Sequence, residues 1–501
     1  MSFYSILDKT EFNHDVITSS AYIYDLNLDQ VIQRIGTLWG QKMDKLYQYF
    51  PPDRDSVLYR RDIYTDILAN DLYPGLCKFM EMYGLYEKAG YQSGHVTVAI
   101  QTKYWHILAI VNYCNAFEHL YDILDRADLK SEGLKLLHDY LKDYLGTEDY
   151  LALAGGAKKI KEEISNLKLV LKYNGDKITI TEGEVSPDME NTLASVFNNT
   201  DNQMTNPFTS SDSLSALEVE IYLVLREIKT DLFTSIEKFY KKNEKFADST
   251  LEKLNLELPF YLSFRKFELD MNKYGYSFSM PTTEDGSLFH AKGLYDLALA
   301  CVNIFNNKPV IRNDFEYRNG ESFFVLTGPN QGGKTTFARS LGQLVFFAKM
   351  GLRVPALEAN VPYFEDILTH FSVEESSESG RGKLMEELIR LAPMMESSRG
   401  NSFVIINELF TTAANYDAGI MGKQVLAHFI DNNCTGIYVT HIKELSEGHE
   451  NIVSLRAMLD ENNIQSFRIL RAPATEDACA INQINKYHLN YAELRERLHL
   501  D

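Results

Sequence analysis

The sequence predicts a multidomain chain of mixed class, in which a mostly helical region precedes an α/β domain. Three observations predict it. From Leu26 to about Tyr150 apolar residues recur at three- and four-residue spacings, the period of helices with one buried face. After Pro281 short apolar runs such as "SFFVLTG", "NSFVIINE" and "TGIYVTH" alternate with helical stretches, as in an α/β sheet. Between the first of those runs and a long helical stretch stand Gly328, four residues, and then Gly333-Lys334-Thr335.

The elements follow in order. "NLDQVIQRIGTLWGQKMDKLYQYF" and "TKYWHILAIVNYCNAFEHLYDILDRA" read as bundle helices. "LKLVLKYNGDKITITEGE" reads as a hairpin near 168–181, because two β-branched runs flank Asn174-Gly175, a pair suited to the positive φ angles of a tight turn. Phe197 to Ser213 is rich in Asn, Thr and Ser without periodicity and reads as an exposed loop. Helix resumes from Leu214 to about Tyr274, with an interruption expected near Pro259. The change to α/β character falls between Tyr274 and Ala291, and no solenoid-length repeat is present. The expected domains are therefore 1–280, 281–475 and a closing helical segment, 476–501.

Composition narrows the function. At 501 residues and 45% hydrophobic content the chain can bury more than one core. No apolar run approaches the ~18 to 20 residues of a membrane-spanning helix, and the first fifteen residues lack a signal core, so a soluble, cytoplasmic protein with no membrane partner is expected. Cys77, Cys114, Cys301, Cys434 and Cys479 are widely spaced without a CxxC pair, which predicts reduced thiols rather than disulfides or a zinc site. A net charge of −20 repels phosphate polymers, so nucleic-acid contact requires a local basic patch.

The chemistry concentrates after Phe323. In a Gly-x4-Gly-Lys-Thr loop between strand and helix, backbone N–H groups wrap phosphates, the lysine reaches the β/γ oxygens and the hydroxyl faces magnesium. Gly328, Pro329, Asn330, Gln331, Gly332, Gly333, Lys334, Thr335 and Thr336 are the nucleotide-binding candidates. The strand "SFVIINE" ends in Asn407-Glu408, where an acidic pair for magnesium and attacking water is expected. "TGIYVTH" ends in His441, placed to reach a γ-phosphate from a neighbouring parallel strand.

With "TGPNQGGKTT", "FVIINELFTTAANYDA" and "VTHIKEL" in this order, the chain resembles the MutS family, whose ATPase domains share the paired-site logic of ABC ATPases. "RNDF" (Arg312 to Phe315) resembles the family's loop ahead of the phosphate strand, and "INQINKYHLNYAELRERL" its closing helical segment. "YFPPDRDSVLYRRDIYTDI" (Tyr49 to Ile67) resembles the opening of its helical core. The resemblance implies a helical core/lever/clamp region followed by a P-loop, ABC-like ATPase domain. About 40 residues precede the core, too few for mismatch-reading and connector domains, so classical mismatch reading is not expected.

The resemblance also implies a composite site using ATP and Mg2+. Lys334 and the loop amides hold phosphates, Thr335 faces the metal, Glu408 activates water and His441 senses the γ-phosphate. The segment Glu378 to Leu391 reaches the other subunit's nucleotide through Arg381, Gly382 and Lys383 in a homodimer. Three departures stand out. Asn407 replaces the family's magnesium-supporting Asp, keeping a hydrogen-bonding group but no charge. Gly382-Lys383 replaces Ser-Thr, and "FTTAANYDA" lacks the Gly-Arg-Gly-Thr-Ser run while retaining Tyr416-Asp417.

For DNA, the candidate contacts are Lys158, Lys159, Lys161, Lys168, Lys172 and Lys177 around the hairpin, interleaved with Glu162 and Glu163. Three expectations follow. The first is a DNA-binding, ATP-switched clamp in repair or recombination. The second is a nucleotide-gated dimer gripping a non-DNA partner, and the third a site that binds ATP and dimerises with little hydrolysis.

Overall fold

In a computed structural model, the described residues are 3–10, 21–96, 99–173, 178–183, 223–283, 288–306, 308–371, 382–447, 449–461, 464–475 and 491–497. They form two compact units, one of residues 1–6 with 66–256 and one of residues 7–65 with 257–501. The chain is thus a mixture of helical and α/β structure, its main sheet six-stranded and mostly parallel.

The first unit is helical. Tyr73–His95 and Ala99–Asp125 bury Leu76, Phe79 and Tyr83 against Phe117, Leu120 and Leu124, with Phe79 and Tyr83 meeting Phe117 edge-on. Asp66 Oδ2 accepts from the amides of Lys130 and Ser131, fixing the chain's entry into Glu132–Leu145. Thr147 caps the next helix, Glu148–Ser165, by accepting from the Tyr150 amide at 3.2 Å, which satisfies one of the open first-turn donors. The exposed Lys158 and Lys159 lie on this helix, and Lys159 stands 3.9 Å from Glu163. Strands β1 (Leu169–Tyr173) and β2 (Ile178–Glu182) then pair antiparallel, Tyr173 opposite Ile178. The turn at Asn174-Gly175 and the expected loop from Phe197 to Ser213 lie outside the described residues.

The expected interruption near Pro259 is not observed. Leu254–Asn272 is one helix with Pro259 inside it, and the breaks fall earlier, between Lys242 and Ser249, where Asp248 caps the following turn, and at Lys253. A proline in a helix loses one backbone bond and costs about 3 kcal/mol. Phe260, Tyr261, Leu262 and Phe264 are each fully buried just beyond it, and burial of one such side chain contributes roughly 1.5–3 kcal/mol. Packing outweighs the local preference.

The second unit is built on the sheet β11-β10-β5-β9-β8-β7. Its strands are β5 (Phe323–Thr327), β7 (Asp366–Phe371), β8 (Ser402–Asn407), β9 (Thr435–Val439), β10 (Ile452–Leu459) and β11 (Gln465–Arg471). All pairs are parallel except β10 with β11. β5 and β8 are buried at every position, which explains their unbroken apolar runs, since a sheet covered on both faces has no polar side. A small antiparallel sheet adds β4 (Asn313–Glu316), β3 (His290–Leu294) and β6 (Glu358–Asn360) in that order. "RNDF" therefore enters a strand rather than a loop, its residues from Asn313 alternating between buried and exposed.

Helices α1 (Lys334–Lys349), α2 (Lys383–Ser397) and α3 (Asn415–Asp431) follow β5, β7 and β8. Residues 7–65 and 257–280, grouped with the helical region by sequence pattern, belong to this unit. Gln343 on α1 donates to the Leu26 carbonyl at 2.9 Å, and a Cβ at Gly342 would stand 2.5 Å from Leu26. The glycine lets that segment lie against α1. Cys114, Cys301 and Cys434 are free thiols, and no helix among the described residues is long and apolar enough to cross a membrane. Of 476–501, the described residues form the helix Tyr491–Arg497.

Candidate functional site

The site lies at the C-terminal ends of three adjacent parallel strands, β5, β9 and β8. Ligands of open α/β sheets bind at this edge. After β5 the chain turns at Gly328, whose φ of 128° and closeness to Ala457 on β10 exclude a side chain; a Cβ would stand 3.0–3.1 Å from three Ala457 atoms. Gly333, with φ of 89°, precedes α1 without a side-chain cap. No cap side chain competes for the first turn of α1, whose positive end suits an anion.

Lys334 is 4% exposed and folds back into the loop, its Nζ donating to the carbonyls of Gly328 at 2.9 Å and Pro329 at 3.0 Å. The ammonium therefore stands inside the turn. Beside it, Thr335 Oγ1 donates to Asn407 Oδ1 at 3.0 Å, joining the loop to the end of β8. Asn407 is 6% exposed, so its amide serves as a buried acceptor in place of a carboxylate.

Glu408 adopts a left-handed conformation, φ 55°, and its amide donates to the Val439 carbonyl at 3.0 Å. Such a backbone costs of order 1–3 kcal/mol in a residue with a side chain and persists where surroundings impose it. The turn aims the Glu408 carboxylate at His441, whose Nε2 lies 3.1 Å from Oε1. That hydrogen bond holds the Glu408 pKa below the usual carboxylate value; burial opposes it, and the positive charges of Lys334 and Lys383 add to it.

A cavity of about 550 Å³ adjoins these groups. Asn330, Gln331, Gly332, Gly333, Lys334, Thr335, Thr336 and Glu408 are among its lining residues. Gly328 and Pro329 lie behind, supplying the carbonyls that hold Lys334. Asn407 and His441 touch the lining residues Thr335 and Glu408. Gly382 is the N-cap of α2 and Lys383 its first residue; neither lines the cavity, and Arg381 lies outside the described residues.

The lining also includes residues that sequence reading did not single out, notably Val310, Ile311 and Phe467, the last packed against Gly333. Phe467 reaches it through a local irregularity. The β10–β11 register shifts between Ala457 and Leu459, and Phe467 has φ of 56°. Asn313 braces that bend, donating to the Phe467 carbonyl at 3.1 Å and accepting from the Ile469 amide at 2.8 Å. No motif carries this part of the lining, because it arises from strand register.

The residues fit a nucleotide with magnesium. Glycines leave room where a Cβ would collide, the uncapped start of α1 and a buried lysine adjoin the cavity, and apolar and aromatic side chains complete its lining.

Comparison with known proteins follows the same segment. Residues 324–483 match the family model described as MutS domain V. The DNA mismatch repair protein MutS of Prochlorococcus marinus (strain MIT 9301) is 24% identical over 369 residues, covering 70% of this chain and 38% of the relative. That of Pseudothermotoga lettingae is 26% identical over 235 residues, 44% of this chain and 28% of the relative. The DNA mismatch repair protein Msh2 of Dictyostelium discoideum is 34% identical over 149 residues, 29% of this chain and 16% of the relative. The chain thus spans well under half the length of these curated relatives.

Proposed function

We propose that the chain, which belongs to the MutS family, is an ATP-hydrolysing, dimerising clamp that engages DNA in repair or recombination. The observation that carries the proposal is the convergence of Lys334, Thr335, Asn407, Glu408 and His441 beside one cavity.

In this reading the α1 amides and Lys334 bind the phosphates, and the base lies between Val310, Ile311 and Phe467. Thr335 would face magnesium, with Asn407 steadying its hydroxyl; the metal, when bound, neutralises charge on the β/γ oxygens. Glu408 orients water and takes its proton while His441 keeps the carboxylate ionised and close to the γ-phosphate. A homodimer is favoured by the apolar side chains Met385, Leu388 and Ile389 on α2 and Tyr416 and Ile420 on α3, all exposed. That flank adjoins the segment proposed to meet the partner's nucleotide through Arg381, Gly382 and Lys383. A cytoplasmic location accords with these roles.

The net charge of −20 favours a second reading, a nucleotide-gated dimer that grips a protein. DNA affinity measured across a salt series, with ADP and with a non-hydrolysable ATP analogue, separates the two. A steep salt slope and a nucleotide-dependent affinity support the clamp; salt-insensitive or nucleotide-blind binding supports the second reading.

Asn407 supplies the most chain-specific expectation. An Asp would keep the acceptor for Thr335 and add a charge beside the metal, and a charge-assisted hydrogen bond is about twice as strong as a neutral one. Asn407→Asp should lower the magnesium concentration for half-maximal single-turnover ATPase. An unmoved titration with an unchanged single turnover would show that the amide does not limit the site.

A further inference from the structure

Glu387 is a buried carboxylate that this chemistry does not use. It lies on α2 one turn beyond Lys383 and is 4% exposed. Its Oε2 accepts from the Phe410 amide at 3.0 Å, whereas Oε1 is buried without a hydrogen-bond partner among the described residues. Burial raises its pKa, opposed by the Phe410 amide and by Lys383. Burying a carboxylate is unfavourable unless its oxygens are paired, and an apolar side chain would avoid the penalty. The single bond that it makes is therefore the feature to explain.

That bond meets the backbone at a constrained place. Glu408 and Phe410 are both left-handed, with φ of 55° and 62°, on either side of Leu409. The Glu408 amide is held by Val439 just past β8, and the Phe410 amide by Glu387 on α2. The side chains of Leu409 and Phe410 share a core cluster with Leu391 and Met394, one and two turns further along α2. The backbone of Glu408 is thus clamped between β9 and α2.

We infer that Glu387 is a positioning residue: by accepting the Phe410 amide it fixes the left-handed turn that aims Glu408, and it ties that turn to the helix beginning at Gly382-Lys383. A shift at the start of α2, the end proposed to meet a second nucleotide, reaches Glu408 through this bond. The inference rests on the proposed role of Glu408 in ATP hydrolysis.

The test uses the full chain as Glu387→Ala, which removes the acceptor, and Glu387→Gln, which keeps an acceptor without the charge. Amide hydrogen exchange over 408–413, ADP affinity and kcat are measured for each. In Glu387→Ala the Phe410 amide should exchange about tenfold faster and kcat should fall about tenfold, with ADP affinity unchanged, as expected when a buried N–H loses its partner. Glu387→Gln should recover both. Parent-like exchange in the alanine variant would overturn the proposal, as would a glutamine variant as defective as alanine, or a loss of ADP affinity in both. Should the parent hydrolyse ATP no faster than Glu408→Gln, the ATPase reading falls, while the exchange data still decide whether Glu387 holds the turn.

Discussion

Glu408→Gln should bind ATP as the parent does and hydrolyse it about a hundredfold or more slowly, the scale on which a positioned general base contributes. A hundredfold corresponds to about 2.7 kcal/mol of transition-state stabilisation. Glutamine keeps the shape and the contact to His441 but takes no proton. The pH profile gives an independent check. In its proposed role Glu408 acts as a carboxylate, so activity should be lost as pH falls through its pKa, which the bond to His441 places below the ordinary value. His441→Ala removes the largest lowering influence and leaves burial, so the acid limb should move to higher pH. A limb that stays in place in His441→Ala, or equal single-turnover rates in Glu408→Gln and the parent, would show that another group is the base.

The second large effect is expected from Lys334→Ala. The Lys334 ammonium is buried inside the loop and held by two carbonyls, and in its proposed role its charge meets the phosphates. Loss of a charge-assisted contact of about 1.5–3 kcal/mol should weaken nucleotide binding roughly ten- to a hundredfold. Calorimetric titration with ADP measures this without hydrolysis. An unchanged affinity in a folded variant would mean that the phosphates are held elsewhere.

The legibility of this site in the sequence follows its physics. The loop from Gly328 to Thr336 can be read because several positions carry a residue-type requirement: glycine where a Cβ would collide, and a lysine and a hydroxyl for the proposed contacts to phosphate and metal. The strands ending in Asn407 and Val439 are legible because burial on both faces leaves unbroken apolar runs. Phe467 was not legible, since a β-bulge brings it to the cavity from far along the chain, and neither was the bracing role of Asn313, which depends on that bend. Glu387 was hidden for a related reason: its partner is a backbone amide, which carries no sequence signal. The membership of residues 7–65 in the sheet's unit depends on Leu26 against Gly342 and Gln343, a tertiary contact that helical periodicity does not encode. Pro259 shows the converse, a strong local signal overruled by the aromatic side chains packed beyond it.

In the proposed assembly ATP is held between two copies of this chain, with α2 of each completing the other's site. Sedimentation of the full-length Glu408→Gln variant, which keeps its ATP, tests this most directly, because a ligand shared between subunits couples binding to association. With ATP and magnesium the mass should rise from 57.4 kDa toward twice that value, and the rise should be absent in Lys334→Ala. A mass that stays at 57.4 kDa at high concentration, with ATP shown to be bound, would contradict the account.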